Sequence, residues 1–179
     1  MLHIGTATAD DIPQLLLLIN AAYRGEASRK GWTTEADFLL GELRTDAENL
    51  RTLLDRKTAV ILKYCDAPGG LTGCVFLDKH GDRLYLGMLS VYPEKQAGGI
   101  GKQLLLASEA HARHTGCRAI YMRVLSKRAE LIAWYERHGY YQTGDTQPYD
   151  GPPQFGTPTE PLVFLIMEKT LTAPGSRPD

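Results

Sequence analysis

The chain has 179 residues, a formal net charge of −1, 43% hydrophobic residues and 23% charged residues. This length suits one domain with a substantial core, and the balanced charge excludes an overall basic field for nucleic acid or an anionic membrane. The longest aliphatic run, residues 15–19, is far shorter than the ~20 residues that span a bilayer.

No signal-peptide pattern opens the sequence, which favours a cytoplasmic protein. The three cysteines, Cys65, Cys74 and Cys117, are widely spaced and form no C-x-x-C pair. Their spacing predicts neither a disulfide framework nor a zinc site, and the histidines show no ligand-like clustering. We therefore expect no metal cofactor.

The first third of the chain is predicted to be mostly helical. A short strand at residues 2–6 precedes a helix at 10–23, where Thr8 and Asp11 are spaced as a capping box. Thr33 or Thr34 is expected to cap a second helix that reaches about Glu42. A further capping-box pattern at 45–48 opens a third helix, to about residue 55.

Strands and helices then alternate along the chain. A three-strand meander is predicted at 58–65, 71–77 and 84–92, followed by a glycine-rich turn and an amphipathic helix. A strand at 118–125, a helix at 128–138 and strands at 140–143 and 162–169 complete an α/β order. With no internal repeat, residues 1–171 are expected to form one domain and residues 172–179 a flexible tail.

The glycine-rich turn at residues 96–101 carries the most specific local signal. It connects a predicted strand to a helix N-terminus, where glycines permit close approach of a ligand and free N–H groups favour an anion. A bound pyrophosphate fits this arrangement, and an ordinary turn before a core helix is the alternative. The segment lacks the glycine order of a Rossmann fingerprint and the spacing of a P-loop.

Several elements of the sequence resemble the GCN5-related N-acetyltransferases (GNAT superfamily). Gln96-x-x-Gly99-x-Gly101 matches the family signature, residues 89–93 (LSVYP) are similar to its fourth strand, and residues 131–140 and 164–169 resemble its closing helix and last strand. The resemblance implies a mixed central sheet of six to seven strands, splayed between strands four and five, with four to five helices.

The resemblance also implies acetyl-CoA as co-substrate and a set of residues that bind it. The pantetheine arm would pair with the strand segment of Leu89, Ser90 and Val91. The turn would hold the pyrophosphate through residues that include the signature: Gln96, Ala97, Gly98, Gly99, Ile100, Gly101 and Lys102.

Tyr135 falls on the family position that protonates the departing CoA thiolate, and an aromatic core residue is the alternative interpretation. Many members carry an asparagine seven residues earlier, where this chain has Arg128. Arginine lacks the acceptor of an asparagine side chain, so the role of that asparagine is not transferred.

The resemblance places the acceptor between residues 23–37 and 142–161. Arg24 or Arg29 offers a guanidinium for a carboxylate there, although a solvated loop charge is the favoured interpretation of either arginine. None of four general-base candidates is assigned: Glu26, Glu35, Tyr85 and Asp150. The expected reaction is direct attack by the primary amine of a small polar metabolite. A protein or peptide acceptor, a non-catalytic CoA-binding regulator, another acyl donor and a homodimer remain open.

Overall fold

The computed structural model describes residues 3–172 and contains a seven-stranded mixed sheet in the order β1-β2-β3-β4-β5-β7-β6. Only β4 and β5 pair in parallel; the other neighbours are antiparallel. The strands are β1 (Ile4–Thr6), β2 (Ala59–Ala67), β3 (Gly70–His80), β4 (Arg83–Val91), β5 (Ala119–Leu125), β6 (Tyr141–Pro148) and β7 (Val163–Thr170).

Residues 3–172 form five α-helices. They are α1 (Ile12–Tyr23), α2 (Gly25–Ser28), α3 (Ala47–Leu54), α4 (Ile100–His114) and α5 (Ala129–Arg137). Helix α2 packs beside α1, and the other four cover the two faces of this sheet. Alternate residues of β3 show the division, because Phe76 packs with the apolar side chains of α1 and α3 and Leu77 with those of α4 and α5. The fold therefore has a core on each face of one central sheet.

The sheet opens between β4 and β5. The two strands pair only through residues 83–85 and 119–121, and β4 then bulges where Met88 adopts a φ of 49°. Beyond Tyr85 the edge of β4 that faces β5 has no strand partner, which confirms the predicted splay. A ligand can therefore approach the main chain of β4 from that side.

The predicted helix from Thr33 or Thr34 to Glu42 is wrong. Residues 33–38 are irregular, and Leu39–Leu40 forms a two-residue strand that pairs with Thr157–Pro158. Leu39 is buried against Leu125 and Leu162. This contact with the proline-rich segment provides burial that a local helix would not supply.

The sequence patterns also did not predict the four-residue helix α2, whereas the remaining elements agree with the predictions to within about five residues. The Asp11 carboxylate accepts a hydrogen bond from the Thr8 N–H at 2.8 Å, as a capping box requires. Helix α3 is capped one residue later than predicted, by Asp46, which accepts from the Asn49 N–H at 2.8 Å. Strand β6 continues to Pro148, five residues past its predicted end at Thr143.

Two further expectations concern the ends of the chain and the bilayer. The tail predicted at 172–179 lies outside the described residues, apart from residue 172 itself. Within residues 3–172, no helix combines the length and the apolar character needed to cross a membrane.

Candidate active site

The glycine turn forms a concave set of backbone N–H groups at the start of α4. Ala97 and Gly99 both have left-handed conformations, with φ of 71° and 83°, and α4 begins directly afterwards at Ile100. Left-handed residues next to helical ones turn successive N–H groups toward a common point. With the positive end of the helix dipole, this geometry suits an anionic ligand.

The Gln96 side chain joins this turn to residues 32–33, which precede the two-residue strand Leu39–Leu40. Its amide nitrogen donates to the Val91 carbonyl at 3.0 Å and to the Thr33 hydroxyl at 2.8 Å, and its oxygen accepts from the Trp32 N–H at 2.9 Å. A Cβ on Gly31 would lie 2.4 Å from the same oxygen, so a larger residue there would push the Gln96 amide out of these hydrogen bonds. Gln96 is thus a structural link between two chain segments.

A cavity of about 580 Å³, called the turn cavity below, lies between the turn, the end of β4 and helix α5. Ser90 and Gly98 do not line it; the Ser90 hydroxyl instead donates to the Met88 carbonyl at 2.9 Å. The other eight predicted cofactor contacts do line it: Leu89, Val91, Gln96, Ala97, Gly99, Ile100, Gly101 and Lys102.

Aromatic side chains that the sequence patterns did not indicate form one wall of the turn cavity. The rings of Trp32 and Trp134 have centroids 6.2 Å apart, and Trp134 also contacts His138 at 4.3 Å. Lys95, Lys102 and Arg137 add cations to the lining. The cavity thus combines apolar surface with positive charge, as a long phosphorylated ligand would require.

A second cavity, of about 330 Å³, opens on the other side of the splay and is called the acceptor cavity below. Its wall includes residues of β4 and β5 together with Tyr149, Asp150 and Phe155 from the proline-rich segment. The two cavities share five lining residues: Tyr23, Leu89, Arg128, Leu131 and Tyr135. They therefore meet where β4 and β5 separate.

Tyr135 lies at this junction. Its side chain is buried, and no residue within 3–172 hydrogen-bonds its hydroxyl group, which borders both cavities. Burial raises the pKa of the Tyr135 phenol above its ordinary value. The hydroxyl group therefore keeps its proton at neutral pH and is free to donate it to a ligand.

The Tyr23 hydroxyl holds the bulge of β4 by donating to the Leu89 carbonyl. Burial raises the pKa of Tyr23 to about 12, so this donor also stays protonated. The Arg128 guanidinium lies 5.5 Å from the centre of the Tyr23 ring, a cation–π distance. These contacts fix the main chain of β4 at the junction.

Arg128, at the position where many family members carry an asparagine, takes part in a buried ionic network. Its guanidinium donates to Glu35 at 2.9 Å, and Arg24 donates to the other oxygen of Glu35 at 2.5 Å. Arg24 also donates to the Phe155 carbonyl at 3.1 Å. Burial opposes the charge of Glu35, but the positive charges of Arg128, Arg24 and the more distant Arg44 outweigh it and lower the pKa of its carboxyl group.

The structure separates the four general-base candidates. Glu26 is 92% exposed at its side chain and paired with Arg29, and it does not line either cavity. Glu35 is held as an anion with both oxygens occupied, which suits it poorly to accept a proton. Tyr85 and Asp150 line the acceptor cavity, and Asp150 accepts from Arg123 at 3.0 and 3.1 Å.

The two arginines proposed for a carboxylate have other partners. Arg24 donates to Glu35 and Phe155, while Arg29 pairs with Glu26 and Asp37 and does not line the acceptor cavity.

Within residues 3–172, no group of three or more acidic, histidine or cysteine side chains is placed to hold a metal ion.

Residues 16–140 match the model of the Acetyltransferase (GNAT) family. The chain belongs to this family, and the predictions of family and of an acetyl-CoA-dependent acyltransferase are confirmed. The match extends from α1 to the end of α5, so it includes the glycine turn, the splay and Tyr135.

Two relatives differ in how much of their length this chain covers. IAA acetyltransferase from Azospirillum brasilense is 31% identical over 143 residues, which are 76% of this chain and 86% of that protein. Mycothiol acetyltransferase from Cellulomonas flavigena is 27% identical over 144 residues, 80% of this chain. The chain covers 37% of that second protein, little more than a third of its length.

Solved structures share the fold. Ribosomal-protein-alanine N-acetyltransferase from Brucella melitensis has a TM-score of 0.69 at 24% identity, over 94% of this chain and 99% of that chain. The PaiA N-acetyltransferase from Thermoplasma acidophilum, in complex with coenzyme A, has a TM-score of 0.67 at 20% identity, over 94% and 98%. The predicted fold, a splayed sheet of six to seven strands with four to five helices, is thereby confirmed.

Proposed function

We propose that the protein transfers the acetyl group of acetyl-CoA to the primary amine of a small polar metabolite, by direct attack in a ternary complex. The observation that carries this proposal is the meeting of two cavities at one tyrosine. A donor in the turn cavity and an acceptor in the acceptor cavity would meet at Tyr135 and Leu89, which line both. Holding the acetyl donor and the acceptor amine at one place makes their reaction effectively unimolecular, which lowers its entropic cost.

The residues that line the turn cavity support binding of acetyl-CoA there. The left-handed conformations of Ala97 and Gly99 would let the N–H groups of the turn bind a diphosphate, and Lys102 would supply positive charge at the start of α4. The pantetheine arm would lie along Leu89 and Val91, on the edge of β4 that lacks a strand partner. The coenzyme A bound by the Thermoplasma relative supports this assignment.

The chemistry requires one bond to form, one to break and two protons to move. The free amine attacks the thioester carbon, the carbon–sulfur bond breaks, and the attacking nitrogen loses a proton to water in the acceptor cavity. Tyr135 donates its proton to the leaving thiolate and then recovers one from solvent. Burial at the junction also raises the pKa of a thiol formed there, because it disfavours the thiolate.

The size and closure of the acceptor cavity favour a small acceptor over a polypeptide. The hydrogen bonds from Arg24 hold Phe155 across one side of it, and the volume of about 330 Å³ matches a compact metabolite. A peptide would instead need an open groove.

Release of CoA with amino acids, polyamines, aminoglycosides and peptides tests the proposal. We expect Tyr135→Phe to keep its affinity for acetyl-CoA and to lower kcat at least about tenfold, because a general acid is lost. Tyr141→Phe is the matched control, since Tyr141 is exposed on β6 outside both cavities. Equal kcat for Tyr135→Phe and wild type would remove the assigned role, and CoA binding without release from any amine would favour a regulatory protein.

A further inference from the structure

The acceptor cavity has an excess of positive charge. Four arginines line it, Arg24, Arg44, Arg123 and Arg128, against two acidic residues, Glu35 and Asp150. Lysine and histidine are absent from this lining, so the excess comes from guanidinium groups. These groups present donors in a fixed fork that matches a carboxylate.

Three of the four arginines already have carboxylate partners. Arg24 and Arg128 share the two oxygens of Glu35, and Arg123 donates to both oxygens of Asp150. These pairs use the charge of both acidic residues in the wall. The cluster of Arg24, Glu35 and Arg128 therefore keeps one net positive charge, and the remaining arginine carries the other.

Arg44 is that remaining group. Among residues 3–172, no carboxylate oxygen lies within 4.0 Å of its guanidinium. The side chain is half-buried, which gives its charge less solvent screening than a fully exposed residue would have.

The position of Arg44 is fixed by the helix beneath it. The Asn20 side chain on α1 accepts from the Arg44 N–H at 2.6 Å and from the Thr45 N–H at 3.1 Å, and it donates to the Thr45 carbonyl at 3.2 Å. The guanidinium lies 5.9 Å from the centre of the Tyr23 ring. Because Tyr23 also holds Leu89, Arg44 stands one side chain away from the junction of the two cavities.

We propose that Arg44 binds a carboxylate of the acceptor, so that the substrates are amines that also carry a carboxylate, as amino acids do. This inference rests on the proposed acetyl transfer and specifies its acceptor. The anionic end would pair with Arg44 while the amine reaches the junction at Leu89 and Tyr135. The pairing would neutralise the charge of Arg44, which is one of the two excess positive charges of the wall.

Matched pairs of acceptors test this charge preference. CoA release is measured with the standard L-amino acids and with their α-carboxamides, which keep the amine and lose the anion. We expect wild type to prefer the acid of at least one pair, and Arg44→Gln to lower the acid-to-amide ratio of kcat/KM at least about tenfold, or about 1.4 kcal/mol. Arg51→Gln is the control, because Arg51 is exposed on α3 and lines neither cavity.

A binding measurement separates failure of this inference from failure of acetyl transfer. CoA-loaded protein is titrated with N-acetylated amino acids, the products that the proposal predicts, and we expect Arg44→Gln to weaken their binding at least about tenfold. Amides used as well as acids would overturn the carboxylate site and leave acetyl transfer intact. If no amine releases CoA, the proposal of acetyl transfer fails and the titration alone tests the carboxylate site. Weaker binding of the N-acetylated amino acids by Arg44→Gln than by wild type would then support the site. Absence of binding by wild type, or equal binding by both proteins, would overturn it.

Discussion

Ala97 and Gly99 show how a conformational requirement at single residues can serve a site. Both have positive φ, which costs a residue with a Cβ roughly 1 kcal/mol. The strain at Ala97 is retained within the turn that lines the turn cavity. Strained backbone in such a place is consistent with a binding function.

Two glycine substitutions separate strain from binding. Gly99→Ala and Gly116→Ala place a Cβ at φ of 83° and 75°, with no atom within 4 Å in either case, so each should lose about 1 kcal/mol of stability. Only Gly99 lines the turn cavity. We expect its variant alone to raise the KM for acetyl-CoA about fivefold, measured beside thermal unfolding. An equal KM in both variants would count against the anion site.

The residues of the turn could be predicted from sequence because their chemistry is local. A strand, glycines and a helix start lie consecutively in the chain, and the proposed role of Tyr135 comes from resemblance to a family motif of adjacent residues. Arg44 and Arg128 could not be predicted in the same way. Their roles depend on Asn20, Glu35 and the splay. The sequence shows that a residue is charged but not which residue it pairs with in the fold.

Among the elements, the pair of short strands at Leu39–Leu40 and Thr157–Pro158 packs behind the acceptor cavity, because Leu39 is buried against Leu125, one of its lining residues. The local pattern after Thr34 indicated a helix because cap residues precede apolar ones. The actual partner of Leu39 lies far along the chain, in a proline-rich segment with no strand signal of its own. Tertiary burial overrides helix propensity in such a case.

Leu39 and Leu40 are neighbours on this strand but differ in burial, so their alanine variants can be compared directly. Leu39 is 1% exposed and Leu40 is 59% exposed. We expect Leu39→Ala to cost about 2–4 kcal/mol of unfolding free energy, because it leaves a cavity, and Leu40→Ala to cost less than about 0.5 kcal/mol. Urea denaturation measures both. Similar small losses would show that the strand pair contributes little to the core.

At the scale of the whole molecule, the network of Arg24, Glu35 and Arg128 joins distant parts of the chain. It connects the end of α1, the irregular segment after α2, the start of α5 and the proline-rich segment at Phe155. Removal of one partner from such a network leaves buried charge uncompensated. The wall of the acceptor cavity and the stability of the fold therefore depend on the same ion pairs.

Glu35→Gln tests this coupling through pH. The pKa of Glu35 is lowered from an ordinary value of 4.5, so its contribution to stability is complete above pH 4.5 and is lost as pH falls through the folded-state pKa. At pH 7 we expect the variant to lose about 3–5 kcal/mol, measured by urea denaturation.

The difference between wild type and Glu35→Gln should then shrink as the pH falls below 4.5, because protonation removes the same charge from wild type. Glu26→Gln provides the control, since its side chain is 92% exposed and its difference from wild type should be small at every pH. Asp11 and Asp78, whose pKa values are also lowered, are present in all three proteins and cancel in the comparison. A difference for Glu35→Gln that stays constant from neutral to acid pH would mean that the surrounding arginines do not lower the pKa of this carboxyl group.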